Sequence, residues 1–444
     1  MKVPARPPAF DELLRKIMAS DNAVRAMLAA QQHTPTTEYL SWDRVRNKTP
    51  PEGLTHEEWW FGLKMARRSA QRDLASLLAI DGTPFHFNLP DQLLRLIDEI
   101  NRSASGNISI GEEVTNPGTR DRYVVTSLIE EAITSSQLEG AATSRRVAKE
   151  MLRSGRPPRD HSERMIVNNF HAMRLVLDFQ DDRLTPERVL ELHRVVTDGT
   201  LADPEDAGRL QTDQAERIAV YGDHDQLLHS PPHVDELPER LQRLCDFANA
   251  DPEDESLYLP PVLRAVALHF MVGYDHYFVD GNGRTARALF YWSMVRQGYW
   301  LTEFLTISTI LKGAPAKYGR SFLLSEDDEG DLTHFFVYHC QVIVRAIEAL
   351  HEYLARKADE VRDLRNRLGS TGRFNHRQLA MLEHAIKNPG ATYTAQSHAR
   401  SHQVTTQTAR QDLGQLEELG LLRHETSGRR MIWSASPDLR ERLI

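Results

Sequence analysis

Two apolar stretches with helical spacing, residues 262–272 and 288–295, enclose a short polar segment that contains two glycines. The enclosed segment HYFVDGNGRTAR, residues 276–287, is therefore predicted to be a loop that leads into the N-terminus of a helix. Gly281 and Gly283 can adopt positive φ and leave their backbone N–H groups open to a ligand. Because a helix N-terminus carries partial positive charge, this loop is predicted to bind an anion such as a phosphate.

The side chains of the same segment suit a phosphoryl transfer. Arg284 and Arg287 are three residues apart, hence on one helix face, where two guanidinium groups can hold a polyphosphate. Asn282 offers an amide to the same anion, and Asp280 is a hard oxygen ligand placed for Mg²⁺. His276 titrates near neutral pH and precedes the loop, where it can take the proton from an attacking hydroxyl.

This segment resembles the Fic signature H-x-F-x-[D/E]-G-N-G-R-x-x-R. All eight defined positions are met, by His276, Phe278, Asp280, Gly281, Asn282, Gly283, Arg284 and Arg287. The resemblance implies a mainly α fold with a Fic-type helical core, and an enzyme that moves AMP from ATP to a Ser, Thr or Tyr hydroxyl of a target protein or of itself. In that family the histidine is the general base, the acidic residue holds Mg²⁺, and the Gly-Asn-Gly turn with both arginines holds the phosphates of ATP.

A second stretch, SSQLEG at residues 135–140, matches the inhibitory signature of the same family, [S/T]-x-x-x-E-[G/N], through Ser135, Glu139 and Gly140. It ends an amphipathic helical pattern, and glycine is common just beyond a helix C-terminus. By resemblance, Glu139 pairs with Arg287 and denies that arginine to the γ-phosphate, so that ATP binds in a pose unfit for attack. The alternative for Glu139 is an ordinary solvated acid at a helix end.

Three regions are predicted along the chain: an N-terminal helical accessory region at 1–105, a Fic catalytic domain with the inhibitory helix at 106–368, and a winged helix-turn-helix at 369–444. A polar connector at 101–119 and a Gly-Ser-Thr-Gly joint at 369–372 suggest the boundaries. Within the first region Thr55 is expected to cap a helix together with Glu58. Within the second, residues of about 217–230 read as a hairpin, which corresponds to the family's flap and is expected to hold an extended target segment by β-strand addition.

Composition narrows the class of protein. Apolar residues make up 40% and charged residues 26%, the balance of a globular protein. The two cysteines, Cys245 and Cys340, are too far apart in sequence to form a C-x-x-C site, so neither a disulfide framework nor a thiolate metal site is expected. Without a signal peptide or a long apolar run, we expect a cytoplasmic protein that does not contact membranes.

The last 70 or so residues follow the pattern of a winged helix. The third predicted helix begins at Thr405 and leaves Gln407, Arg410 and Gln411 on the face opposite its apolar residues, which makes them candidate DNA contacts. From residue 371 onward there are ten basic and seven acidic residues, a charge of +3, against −9 for the whole chain. Because +3 is modest for DNA binding, docking of a protein or homodimerisation is the alternative for this module.

Other functions stay open from the sequence. The residues of the Fic segment fit hydrolytic removal of AMP, with Glu139 positioning water, as well as transfer. Transfer of UMP or phosphocholine is a further alternative, and so is a DNA-binding regulator that uses the Fic region as a nucleotide sensor. Two features are given structural interpretations: His269 is predicted to be a hydrogen-bonded core histidine, and the acidic run at 326–331 is predicted to be a solvated loop.

Overall fold

The computed structural model describes residues 3–20, 22–33, 38–104, 117–214, 217–222, 226–251, 258–370, 373–387, 391–427, 430–439 and 442. The chain divides into two compact units, residues 1–348 and 349–444. The mainly helical fold expected from the sequence is confirmed. Among the residues just given, no helix is both long enough and apolar enough to cross a membrane. The division into three domains stays a prediction, and most of its first connector lies outside the described residues.

The first unit is a helical assembly with two small hairpins. Its helices are α1 (Phe10–Met18), α2 (Ala23–His33), α3 (Trp42–Val45), α4 (His56–Ala70), α5 (Asp91–Ala104), α6 (Pro117–Leu138), α7 (Arg145–Ser154), α8 (His161–Asp178), α9 (Pro186–Thr197), α10 (Leu237–Asn249), α11 (Pro261–Asp275), α12 (Asn282–Arg296), α13 (Ile307–Gly313) and α14 (Pro315–Asp327). The antiparallel hairpins pair β1 (Arg72–Leu78) with β2 (Pro84–Phe87), and β3 (Val220–Tyr221) with β4 (Leu227–His229). Helix α15 (Thr333–Ser370) runs on into the second unit.

Helices α11 and α12 form the centre of the first unit. Nearly every residue of α11, and every residue of α12 from Arg284 to Met294, is buried. For α11 such burial follows from an apolar sequence that leaves no polar face for water, whereas α12 also buries Arg284 and Arg287. Helix α11 ends at Asp275, with His276 as its C-cap, and α12 begins at Asn282, so the short segment between them is fixed at both ends by the interior of the protein.

The N-terminal region contains more than the helices that its sequence predicts. Thr55 caps α4, with the reciprocal bond from Glu58, as expected. Beyond α4, however, β1 and β2 form a hairpin that the sequence does not predict, because β1 lacks a clean alternation of buried and exposed residues. The strand conformation is stabilised from outside: the His86 N–H donates to Gly330 O at 3.2 Å, and the Leu332 N–H donates to His86 O at 2.8 Å. Hydrogen bonds to a distant part of the chain thus stabilise a hairpin whose own sequence has only a weak strand pattern.

The acidic run at 326–331 is not the solvated loop that its composition predicts. Asp328 and Asp331 are 3% and 1% exposed. Lys64 from α4 lies 2.8 Å from the Asp328 carboxylate, and Tyr39 donates a hydrogen bond of 2.6 Å to Asp331. The prediction was wrong because the compensating cation comes from a distant part of the chain, and buried carboxylates are tolerated when they are paired.

The second unit contains, after the end of α15, α16 (His376–Lys387), β5 (Thr392–Tyr393), α17 (Ala395–His402), α18 (Thr406–Glu418), β6 (Leu422–Ser427) and β7 (Arg430–Ala435). The strands form one antiparallel sheet in the order β5-β7-β6. Thr405 caps α18, while Ala409, Leu413 and Leu416 face the core of this unit. This element order agrees with a winged helix, whose assignment stays a prediction. The turn between β6 and β7, at 428–429, lies outside the described residues.

Candidate active site

The segment between α11 and α12, residues 276–283, is called the glycine turn below. Gly281 has a φ of +85°, and a Cβ at this position would lie 2.8 Å from Thr197 Cγ2, so only glycine fits. Phe278 is fully buried, as expected, and stacks on the ring of His193 with centroids 3.7 Å apart. The turn therefore packs against helix α9 through the stacking of Phe278 on His193 and the close approach of Gly281 to Thr197.

His193 also holds the backbone of the turn, a role that the sequence does not suggest. Its Nδ1 accepts a hydrogen bond of 3.0 Å from the Gly208 N–H, which requires the proton to sit on Nε2. The Nε2–H then donates to Asp280 O at 2.8 Å. Burial lowers the pKa of His193 to about 4, so the neutral ring that this geometry needs is the stable form at neutral pH.

Asn282 has a structural task that the sequence does not show. Its Oδ1 accepts from the Phe278 N–H at 3.0 Å and its Nδ2 donates to Phe278 O at 2.7 Å. Both ends of the amide thus help to close the turn, and the phosphate contact expected of this side chain stays a prediction. What Asn282 can offer to an anion is its backbone N–H in the first turn of α12.

His276 occupies the C-cap of α11 in the left-handed conformation, with φ +49°. Its Nδ1 lies 3.4 Å from Gly273 O, which leaves the Nε2 lone pair as the basic site. The pKa of His276 is lowered to about 4, mainly by burial and in part by the positive charges of His229 and Arg217. The imidazole is consequently neutral at physiological pH and able to accept a proton.

Arg217, at the start of the hairpin β3–β4, fixes the backbone at His276. Its Nη1 donates to His276 O at 2.6 Å and its Nη2 to Asp275 O at 2.5 Å, while its Nε donates to Pro232 O at 2.9 Å. The first two acceptors are carbonyl groups at the C-terminus of α11, where a cation is favoured. A single guanidinium group therefore joins both ends of the hairpin to the candidate base.

Arg284 and Arg287 lie buried beside the turn on α12. Arg284 donates to Val196 O at 3.1 Å and to Asp280 Oδ2 at 3.2 Å. Arg284 Nε and Arg287 Nη1 are buried and have no hydrogen-bond acceptor among the described residues. A buried N–H group without an acceptor is costly, so an anion bound beside the turn would stabilise the site by accepting from these two atoms.

Glu139, just beyond the end of α6, reaches into the same space. Its Oε1 accepts from Arg287 Nη2 at 2.7 Å, and Arg287 Nε donates to Ser135 Oγ at 2.8 Å. A Cβ added to Gly283 would collide with this carboxylate oxygen, so Glu139 lies directly over the first turn of α12. The charge of Glu139 also raises the pKa of His276. The carboxylate therefore faces the base and both arginines at once.

The residues fit a magnesium nucleotide. The Asp280 side chain is 54% exposed, and its Oδ1 accepts from the Gly281 N–H at 2.6 Å. An exposed carboxylate beside two buried arginines supplies the hard oxygen that Mg²⁺ takes together with phosphate oxygens. The unpaired N–H groups of Arg284 and Arg287 supply the matching donors for those phosphates.

Residues 183–294 match the model of the Fic/DOC family, which covers the glycine turn and both arginines. The chain carries a Fic domain. The resemblance noted from the signature is thereby confirmed. The match includes helices α9 and α11 and most of α12, the three elements that hold the glycine turn in place, and residues 276–283 are called the Fic turn from here on.

Curated relatives of this Fic domain are named protein adenylyltransferases. The Caenorhabditis elegans protein adenylyltransferase fic-1 is 31% identical over 153 residues, which is 34% of this chain and 27% of that protein. The Nematostella vectensis protein adenylyltransferase Fic is 25% identical over 271 residues, 60% of this chain and 57% of that protein. The chain thus spans well under two thirds of the length of these relatives.

A solved structure gives the same fold. The crystal structure of a Fic family protein from Desulfovibrio desulfuricans G20 superposes with a TM-score of 0.51 at 18% identity, and the match covers 79% of this chain and 98% of that one. At this identity the likeness concerns the fold alone. It agrees with the mainly helical architecture in which the Fic turn joins two buried helices.

Of the residues that the sequence singles out, the structure brings His276, Asp280, Arg284, Arg287 and Glu139 around one space. Gly140 has a φ of +96°, as expected beyond a helix end. His269 is buried and bonds to Tyr318 at 2.8 Å, which confirms it as a core residue. The sequence missed His193 and Arg217, because nothing in their local pattern shows that they reach the Fic turn from other elements.

Proposed function

We propose that this chain transfers AMP from ATP to a Ser, Thr or Tyr hydroxyl of a target protein, and that Glu139 holds the activity down. The observation that carries the proposal is the pair of buried arginine N–H groups without acceptors, next to a neutral histidine. A polyphosphate would satisfy these N–H groups, and the histidine stands where a hydroxyl has to lose its proton.

In the proposed reaction, His276 Nε2 takes the proton of the target hydroxyl while the oxygen attacks the α-phosphorus. The bond between that phosphorus and the oxygen bridging to the β-phosphate breaks, and diphosphate leaves. Arg284, Arg287 and the backbone N–H groups at the start of α12 bind the phosphates and stabilise the charge that develops on them. Asp280 would hold Mg²⁺, which supplies further positive charge to the phosphates.

The hairpin β3–β4 is proposed to position the target. Val220, Tyr221 and Leu227 are all exposed, and Tyr221 is 60% exposed. Exposed apolar side chains on a two-stranded sheet with open edges suit an extended segment that adds a strand. Through Arg217 the same hairpin is tied to His276, so target position and base position depend on one another.

The proposal is tested by the intact mass of the full chain after incubation with ATP and MgCl₂. A gain of AMP on the chain or on an added lysate protein supports transfer, whereas loss of AMP from a pre-labelled protein supports the reverse reaction. Parallel incubations with UTP and with CDP-choline distinguish AMP from UMP and phosphocholine. If neither the wild type nor Glu139→Gly changes the mass of any protein, the proposal is wrong.

Arg217→Ala should lower kcat about 10-fold, because a small displacement of a catalytic group slows the reaction strongly. The KM for ATP should stay the same, because the arginines on α12 are unchanged. The same change should move the acid limb of the pH–rate profile to higher pH, since the Arg217 charge lowers the pKa of His276. Arg217→Lys keeps the charge and should leave the limb in place. Arg243→Ala, which removes an exposed arginine of α10, is the control; equal loss in both would contradict the role of Arg217.

The second unit supports a second candidate function, docking on DNA. Gln407, Arg410 and Gln411 are all exposed on α18, opposite the buried face of that helix. We expect the full chain to bind a labelled DNA duplex more weakly as salt rises, and Arg410→Ala to reduce the salt slope by about 1. Arg243→Ala should leave binding unchanged. Binding that is absent, or insensitive to both salt and Arg410→Ala, favours protein docking or homodimerisation.

A further inference from the structure

A large cavity of about 1120 Å³ opens on the first unit, outside the Fic turn. It is bounded by the start of α1, the hairpin β1–β2, the end of α14 and strand β4, and none of residues 276–287 lines it. We call this cavity the acidic groove. It matters because strand β4 belongs both to the groove and to the hairpin proposed to hold the target.

The rim of the groove is acidic. Six carboxylates line it against two guanidinium groups, those of Arg6 and Arg68; the carboxylates belong to Asp11, Asp73, Asp81, Glu326, Asp327 and Glu329. Each arginine is already paired, Arg6 with Asp327 and Arg68 with Glu329, at 3.0 Å in both cases. The groove therefore repels an anionic ligand such as a nucleotide and attracts a cation.

Three of these acids are open to a partner. Asp11, Asp73 and Asp81 are exposed, and no basic side chain of the described residues lies within salt-bridge distance of them. Within the described part of the chain, the Asp73 carboxylate accepts from Gln71 Nε2, and Asp81 accepts from the backbone and hydroxyl of Thr83. Hydrogen bonds from neutral groups do not neutralise a carboxylate, so these acids can still bind a cationic group.

The groove also has an apolar component that continues toward the flap hairpin. Ile80, Phe85, Leu228 and Leu323 line it, and Ile80 is 47% exposed. Leu228 is the middle residue of β4, and its neighbour Leu227 is 51% exposed on the hairpin. Phe85 and Leu323 are buried and form the floor of the groove, whereas Ile80 is exposed and Leu228 partly exposed at its edge. Leu228 links the groove to the hairpin β3–β4 because it belongs to both.

We propose that the acidic groove docks a basic segment of the target protein, one in which lysine or arginine alternates with apolar residues and which continues from the stretch bound at β3–β4. This inference rests on the proposed function, for it names the class of target. The occupant is a polypeptide for two reasons. Its basic side chains match the acidic rim and its apolar side chains match the apolar floor. An extended chain can also run from β4 into the groove.

The test measures binding to the full chain of a fluorescein-labelled peptide of alternating lysine and valine around a central tyrosine. Its partner probe carries glutamate in place of lysine. We expect the lysine peptide to bind and the glutamate peptide not to bind. The combined substitution Asp11→Asn, Asp73→Asn and Asp81→Asn should weaken binding of the lysine peptide about 10-fold, and added NaCl should remove most of this difference. Asparagine keeps the local hydrogen bonds of Asp73 and Asp81, so the fold is preserved.

The matched control removes three exposed acids that do not line the groove, through Glu99→Gln, Asp178→Asn and Asp181→Asn. Because both triple variants change the net charge equally, a general attraction of basic peptides to the acidic chain predicts equal weakening, and that result overturns the proposal. Equal binding of the two peptides overturns it as well. A photo-crosslinker at a valine of the lysine peptide should label the region of Ile80 and Leu228.

Binding does not depend on catalysis, so the two proposals fail separately. If the chain transfers no AMP but the groove variant still loses the lysine peptide, the docking surface stands and the proposed reaction is wrong. If AMP transfer occurs while the groove and control variants bind the peptide alike, the reaction stands and the docking surface is wrong. If both proposals are correct, the Glu139→Gly protein should transfer AMP to the lysine peptide faster than to the glutamate peptide. Adding the three groove substitutions to this protein should reduce that preference.

Discussion

Glu139→Gly should raise the rate of AMP transfer about 10- to 100-fold. In the structure the Glu139 carboxylate accepts from Arg287 at 2.7 Å and lies over Gly283, which is the space proposed for a phosphate. A hydrogen bond between charged groups contributes about 1.5–3 kcal/mol, and its release in favour of the nucleotide corresponds to this range of rates. The measurement is the initial rate of AMP incorporation at saturating ATP and MgCl₂.

Two further variants separate charge from shape. Glu139→Gln keeps an oxygen near Arg287 but loses the charge, so its rate should fall between those of the wild type and the glycine variant. Glu130→Gln removes the charge of another acid of α6, one that pairs with Arg145 at 2.8 Å and has no contact with Arg287 among the described residues, and should leave the rate unchanged. If Glu139→Gly labels protein no faster than wild type, Glu139 is not an inhibitor.

His276→Ala should retain ATP binding and lower AMP transfer by about 10²- to 10⁴-fold, the usual contribution of a general base. Because His276 has a φ of +49°, alanine also strains the backbone there. His276→Asn is therefore the better variant, since asparagine tolerates this conformation and cannot act as the base. His171→Ala, at an exposed position of α8, is the control. Transfer by His276→Asn at the wild-type rate excludes the histidine from the mechanism.

The pH dependence follows from the same residue. Burial lowers the pKa of His276 to about 4, so its basic form is present above that pH and is lost as the pH falls through it. We expect kcat/KM for ATP to stay level between pH 6 and 7, where an ordinary histidine would titrate, and to fall only near pH 4. Circular dichroism at each pH is needed because buried His193 and His276 make unfolding easier as the pH falls below about 6.5. A rate that halves near pH 6.5 with the fold intact contradicts this assignment.

The sequence predicts the site better than it predicts the scaffold around it. The spacing of Arg284 and Arg287 and the helix on either side of the Fic turn are local features, so periodicity and glycine placement reveal them. The sequence did not show that the side chain of Asn282 closes the turn, because a sequence shows that an amide is available and not that the backbone of the turn requires it. His193 and Arg217 act on the turn from 83 and 59 residues away in sequence, a distance over which no local pattern carries information.

The same limit applies to the N-terminal region. The capping residue Thr55 and its partner Glu58 are three positions apart and were recognised. The hairpin β1–β2 depends on backbone pairing with residues near Gly330, and the burial of Asp328 depends on Lys64; both partners lie more than 200 residues away in the chain. The two features of this region that the sequence did not predict therefore depend on ion pairs and strand pairing between residues that are far apart in the chain.

Gly283 has no side chain, and the place where one would begin is filled by the oxygen of Glu139. A larger residue at 283 would displace the carboxylate and would itself fill the space proposed for the phosphates. Substitution at that position would consequently not relieve the proposed inhibition without also blocking the proposed nucleotide site. If Glu139 is an inhibitor, small changes in resting activity are to be expected from substitutions at the end of α6, on the other side of this contact.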